Sequence, residues 1–135
     1  METFGYRRLF AYQKAKNWNK HVYSILKRFP SDERFALSSQ IRRACISVTS
    51  NIAEGMSRFS VKDKGHFLEI AYGSLMEATS QLDLAQDFGY ITADELRSFD
   101  LEAEEIARLI SGLQRSINGS ISPTNTTQDS LQSQS

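Results

Sequence analysis

Apolar side chains recur along this chain at steps of three and four residues, the spacing of one face of an α-helix. The first stripe is Ala11, Ala15, Trp18, Val22, Ile25 and Phe29. Pro30 ends it, because the residue before a proline is pushed out of helical geometry. Ser31 then offers an N-cap to a second helix, with Asp32 and Glu33 favourably placed in its first turn. That helix follows Leu37, Ile41, Ala44, Val48 and Ile52, with Gly55 as its stop. The third opens at Ser60, with Asp63 three residues on, a capping-box-like start. It continues through Phe67, Ala71, Ala78, Leu82 and Ala85 and closes at Gly89. Thr92 and Glu95 form a fuller capping box for the fourth, which carries Phe99, Ala103, Ile106, Ile110, Leu113 and Ile117.

No segment alternates as a strand does. Short connections make sequential helices antiparallel neighbours. The expected fold is therefore all-α, an antiparallel up-down-up-down four-helix bundle over residues 1–118. Residues 119–135 are rich in Ser, Thr, Gln and Asn with few apolar groups, and the expectation for them is a disordered tail.

The projection also shows apolar positions outside these stripes. On the second helix they are Phe35, Ile46 and Ala53; on the third, Leu68, Tyr72 and Met76, with Thr79 beside them. Tyr12 and Tyr23 share a flank of the first helix. A monomeric bundle needs one stripe per helix, whereas extra seams on neighbouring helices fit subunit contacts. Scattered surface apolars would be the ordinary alternative.

A polar line runs beside the stripe of the second helix: Gln40, Arg43, Ser47, Asn51 and Glu54. Ser74, Glu77 and Gln81 make a comparable line on the third. The two are expected to meet as a hydrogen-bonded seam that sets register, within the bundle or between subunits.

Composition changes the picture mainly through charge. The formal net charge is zero, but residues 1–64 hold 13 Lys or Arg against 5 Asp or Glu, and residues 65–135 hold 3 against 11. The split predicts either a basic binding face or complementary surfaces that attract, within one molecule or head-to-tail between copies. Lys16, Lys20 and Lys27 line one face of the first helix, Arg42 and Arg43 lie on the second, and Arg58, Lys62 and Lys64 cluster at the following turn. Such patches neutralise phosphates and predict salt-sensitive, largely sequence-independent nucleic-acid binding. An ordinary solvated surface is the competing reading for a chain of pI ≈ 6.7.

Signals for catalysis are sparse. No Gly-rich phosphate loop occurs, and the single cysteine, Cys45, reads as a small packing residue. Asp63, His66 and Glu69 share a helical face, but dimetal bundles use paired Glu-x-x-His motifs, so no metal or other cofactor is expected. His21 has no acidic neighbour at helical spacing. No apolar run is long enough for a membrane span, and the charged N-terminal stretch lacks a signal peptide's apolar region, so the expected location is cytoplasmic, with no membrane partner.

The stretch SVTSNIAEG, Ser47 to Gly55, followed by Phe67-Leu68-Glu69-Ile70-Ala71-Tyr72-Gly73-Ser74-Leu75-Met76-Glu77 and Gln81-Leu82, resembles the four-helix-bundle proteins encoded by 23S rRNA intervening sequences. Pro30, Glu33-Arg34-Phe35, Leu37, Gln40 and Arg42-Arg43 fit the same family, and the likeness spans about residues 6–118. The resemblance implies a bacterial four-helix bundle. It also implies similarity to the accessory protein of diversity-generating retroelements, which forms a five-fold ring and binds nucleic acid and a reverse transcriptase. The expected function is a non-enzymatic, oligomeric accessory or scaffold protein, ring-like and pentameric, with structured RNA or a reverse transcriptase as partner. A protein-interaction module without a nucleic-acid role is the alternative, and a metal-dependent enzyme the third reading.

Overall fold

The structure, a computed structural model, describes residues 4–119. Four helices follow a short 3-10 turn at Gly5–Arg8: α1 (Phe10–Leu26), α2 (Leu37–Met56), α3 (Val61–Asp87) and α4 (Ala93–Gly119). Side-chain pairs fix their directions. Lys14 meets Glu105 and Arg28 meets Glu95, so α1 and α4 run antiparallel. The helices neighbour one another in the cyclic order α1, α2, α3, α4, which gives the up-down-up-down bundle. The tail expected over 119–135 lies outside the described residues apart from Gly119, the last residue of α4.

The predicted stripes, apart from the half-buried Phe67, line one continuous core. Its largest fully buried side chains are Trp18, Ile41, Ile52, Leu68, Leu75, Leu82, Ile106 and Ile110. Trp18 also donates its indole Nε1–H to the Phe99 carbonyl at 3.1 Å, tying α1 to α4. Leu68, expected on an outer seam, is instead wholly buried. α3 packs against both α2 and α4, so its buried face is wider than a single stripe.

The caps divide between expectation and correction. Ser60 Oγ accepts from the Asp63 N–H at 3.0 Å. Thr92 and Glu95 exchange both bonds of a capping box, at 2.8 and 3.1 Å. Gly89 has φ +83°, and the Tyr90 N–H reaches back to the Ala85 carbonyl at 2.9 Å, the Schellman closure of α3. Ser31, however, does not cap α2. It opens a 3-10 turn, Ser31–Glu33, and α2 starts only at Leu37. The Glu33 carboxylate takes over, accepting the Leu37 N–H at 3.3 Å and the Tyr90 hydroxyl at 2.7 Å. Phe35 therefore lies in the connection, 90% exposed, rather than on a helix face.

Gly55 is also not a stop. Among the described glycines only Gly89 has a positive φ, and α2 runs on to Met56. Gly55 is buried where α2 meets α3: a Cβ there would sit 3.1 Å from both the Lys64 carbonyl oxygen and Phe67 Cβ. Its missing side chain permits close approach of the two helices.

Candidate functional site

Two of the grooves between helices carry exposed large apolar side chains such as Tyr23, Ile46, Tyr72 and Met76. The first, about 500 Å³, lies between α1 and α2 and is lined by Lys16, Asn19, Lys20, Tyr23, Ser24, Lys27 and Ile46. The lysines share a face of α1, while Tyr23 and Ile46 supply exposed apolar surface. Asn19 bridges the helices, donating to the Cys45 carbonyl at 3.0 Å. Arg42, half-buried, lies one turn before Ile46 and extends that flank, and half-buried Ala53 continues it in the other direction.

The second groove, about 410 Å³, lies between α3 and α4 and includes Tyr72, Met76, Thr79, Asp100, Glu104 and Arg108. Burial pushes the Asp100 carboxyl above its ordinary range, and the charges of Asp83 and Glu104 push the same way. In the cyclic helix order this groove faces away from the first. The molecule thus carries a cationic groove on one side and a predominantly acidic one on the other, each with exposed apolar side chains. Sequence reasoning missed Asn19, Asp100 and Glu104. The groove belongs to pairs of helices, and no single-helix projection places α4 carboxylates beside α3 aromatics.

The polar lines meet at one point. Ser47 and Ser74 share a hydroxyl–hydroxyl hydrogen bond at 2.7 Å, and Asn51 Nδ2 donates to the Ser47 carbonyl at 2.8 Å and to its Oγ at 3.0 Å. Elsewhere each line stays on its own helix: Gln81 donates to Glu77 at 3.2 Å, and Glu54 accepts from Arg58. Gln40 and Arg43 are exposed. In a double-mutant cycle, Ser47→Ala and Ser74→Ala should show a coupling of about 1 kcal/mol in urea unfolding. Additive single effects would mean that the two hydroxyls do not interact in solution.

The turn between α2 and α3 holds the other predicted cations, and the structure separates their roles. The Arg58 guanidinium donates to Glu54 at 2.6 Å and lies 4.6 Å from the Phe67 ring centroid. Half-buried Lys64 points Nζ at the Met56 carbonyl, 3.4 Å away, at the end of α2. It satisfies that helix end instead of standing clear of the surface as the sequence suggests. Lys62 is exposed on the first turn of α3.

Reactive groups are few. Cys45 is wholly buried, and burial pushes its thiol up to about 12, which suppresses the nucleophilic thiolate at neutral pH. His21 does have an acidic partner, Glu102 at 2.9 Å, but 81 residues away in sequence and so invisible to helical spacing. Among the described residues no group of three or more His, Cys, Asp and Glu is placed to hold a metal ion, and no helix is long and apolar enough to cross a membrane.

The family model described as 23S rRNA-intervening sequence protein matches residues 7–112. Among solved structures, the chain is similar to a protein of unknown function from the S23 ribosomal protein family of Bacteroides thetaiotaomicron, with 24% identity and a TM-score of 0.71. The match covers 78% of this chain and 95% of that one, and at this identity it speaks for the fold alone. No curated protein matches the chain.

Proposed function

Because this chain belongs to the 23S rRNA-intervening sequence protein family, we propose that it is a non-enzymatic scaffold that assembles with copies of itself and associates with structured RNA. The observation that carries the assembly is the pair of opposed grooves. The lysine rim of Lys16, Lys20 and Lys27 on one copy complements Asp100 and Glu104 on the next, while Tyr23 and Ile46 meet Tyr72 and Met76. Such a contact joins unlike faces, so it closes into a ring when its rotation allows. A pentamer is the closure we propose. Apolar burial supplies affinity, and the charged rims fix register and speed encounter.

The test is the size of the particle in solution. Multi-angle light scattering on the full chain should give one species at a whole-number multiple of 15.3 kDa. Lys20→Glu with Lys27→Glu should release monomers, and so should Asp100→Lys with Glu104→Lys. Mixing the two variants should restore assembly with the two alternating, because both contacts between unlike variants, the native one and the charge-swapped one, pair opposite charges. A wild-type monomer at micromolar concentration overturns the assembly. The RNA association falls to cations outside the grooves, chiefly Arg58 and Lys62 at the α2–α3 turn.

A further inference from the structure

Phe59, between α2 and α3, is 101% exposed, more than any other large apolar side chain among the described residues. It is not alone at that end of the bundle. The chain directions bring the start of α1, the end of α2 and the start of α3 together there, where Phe4 and Phe10 are also exposed. Guanidinium groups lie over aromatic rings at the same end. Arg7 lies 5.3 Å from the Phe4 centroid and 5.6 Å from that of Tyr6, and Arg58 is held over Phe67. A single exposed aromatic is ordinary, but several exposed rings at one end of a bundle that also carries arginines offer a specific chemistry.

Neither the core nor the grooves account for it. Phe59 is absent from the hydrophobic core, and it lines neither groove. Contacts made along the sides of the bundle leave its ends open, so a ring built through the grooves presents this end once per copy. Flat rings bind flat partners, and cations beside them bind anions. Unpaired nucleotides offer both, a base face to stack and a phosphate to neutralise. A duplex offers the phosphates, but its base faces are already stacked. The neighbouring Arg58 is preorganised for such a role, because Glu54 and the Phe67 ring fix its guanidinium.

We propose that this end of the bundle binds single-stranded nucleic acid, with Phe59 stacking on a base and Arg58 and Lys62 meeting the adjoining phosphates. The proposal rests on the RNA reading above and narrows it to unpaired segments. Repetition around a ring would then add weak single contacts by avidity.

The experiment is fluorescence anisotropy of the full chain with a short unstructured single-stranded RNA and with its blunt duplex, at several salt concentrations. The single strand should bind about ten-fold more tightly than the duplex. Phe59→Ala should remove that difference by weakening the single strand alone, and Phe59→Trp should restore it. Because Phe59 lies outside the core, circular dichroism of Phe59→Ala should match the wild type. Arg58→Ala with Lys62→Ala should weaken both RNAs alike and flatten the salt dependence. Equal binding of both RNAs, or a Phe59→Ala variant unchanged on the single strand, overturns the stacking and leaves the phosphate reading standing. Absence of binding to either RNA at low salt overturns both.

Discussion

Replacing Trp18 with alanine should cost about 3–5 kcal/mol of folding stability, a large share of what a single domain has. Two effects combine. The indole is fully buried, so truncation leaves a cavity that its neighbours fill only in part. It also removes the 3.1 Å hydrogen bond from Nε1 to the Phe99 carbonyl, a direct tie between α1 and α4. For a domain of this size the melting temperature should fall by about 10–20 °C. Trp18→Phe separates the two effects. It keeps much of the volume and loses the donor, so its cost should be smaller, closer to the ~1 kcal/mol of a lost hydrogen bond plus a modest packing term. Urea unfolding followed by circular dichroism reads both variants. If Trp18→Ala loses less than the phenylalanine variant, the indole is not the anchor described here.

The second large effect is expected at Gly55. Gly55→Leu should destabilise the chain by about 3 kcal/mol, because a side chain there meets backbone as well as side-chain atoms of α3. The nearest obstacle, the Lys64 carbonyl oxygen at 3.1 Å, cannot swing aside as a side-chain tip could. Gly55→Ala is a closer contest. Its gain in helix propensity, about 1 kcal/mol, opposes a squeeze of a few tenths of an ångström, so the two should nearly cancel. Gly73 is the control, since a Cβ there meets nothing within 4 Å of its own chain. Gly73→Ala should leave the monomer fold as stable or more so. Thermal melts of these three variants and of Gly73→Leu check the order. Equal tolerance of leucine at both glycines would mean that α2 and α3 do not approach as closely as described.

These sites show which parts of the molecule local sequence could reveal. The helices were legible because their apolar positions repeat at helical spacing. The Thr92–Glu95 box and Gly89 were legible because a cap needs only residues a few positions apart. Ser31 misled because Pro30 sets up a separate 3-10 turn, which moves the true start of α2 to Leu37. Gly55 misled because two reasons for glycine look alike in a sequence. One is a left-handed turn, and the other is a neighbour arriving from elsewhere in the chain. Leu68 lay outside the stripe because α3 is covered on two sides, whereas a stripe assumes one.

The candidate surfaces were less legible for the same reason. Each cation could be found singly, but apart from Glu54, four residues before Arg58, their partners come from other helices. Lys64 is occupied by the end of α2, His21 by Glu102, and Arg58 by Glu54 and Phe67. The acidic groove has no signature within one helix, since Tyr72 and Met76 come from α3 while Asp100 and Glu104 come from α4. What the sequence did offer was the charge split between its halves, which the fold turns into two opposed sides.

The chain has one tryptophan, and it is sealed in the core with its N–H engaged. That makes it an intrinsic optical gauge. Its emission should be blue-shifted in the folded chain and move to the red only when the core opens to water. The indole lines neither groove, so its signal should stay still while copies join or separate. Tryptophan fluorescence can therefore follow unfolding in a sample whose assembly is changing, with no label and no second probe to subtract.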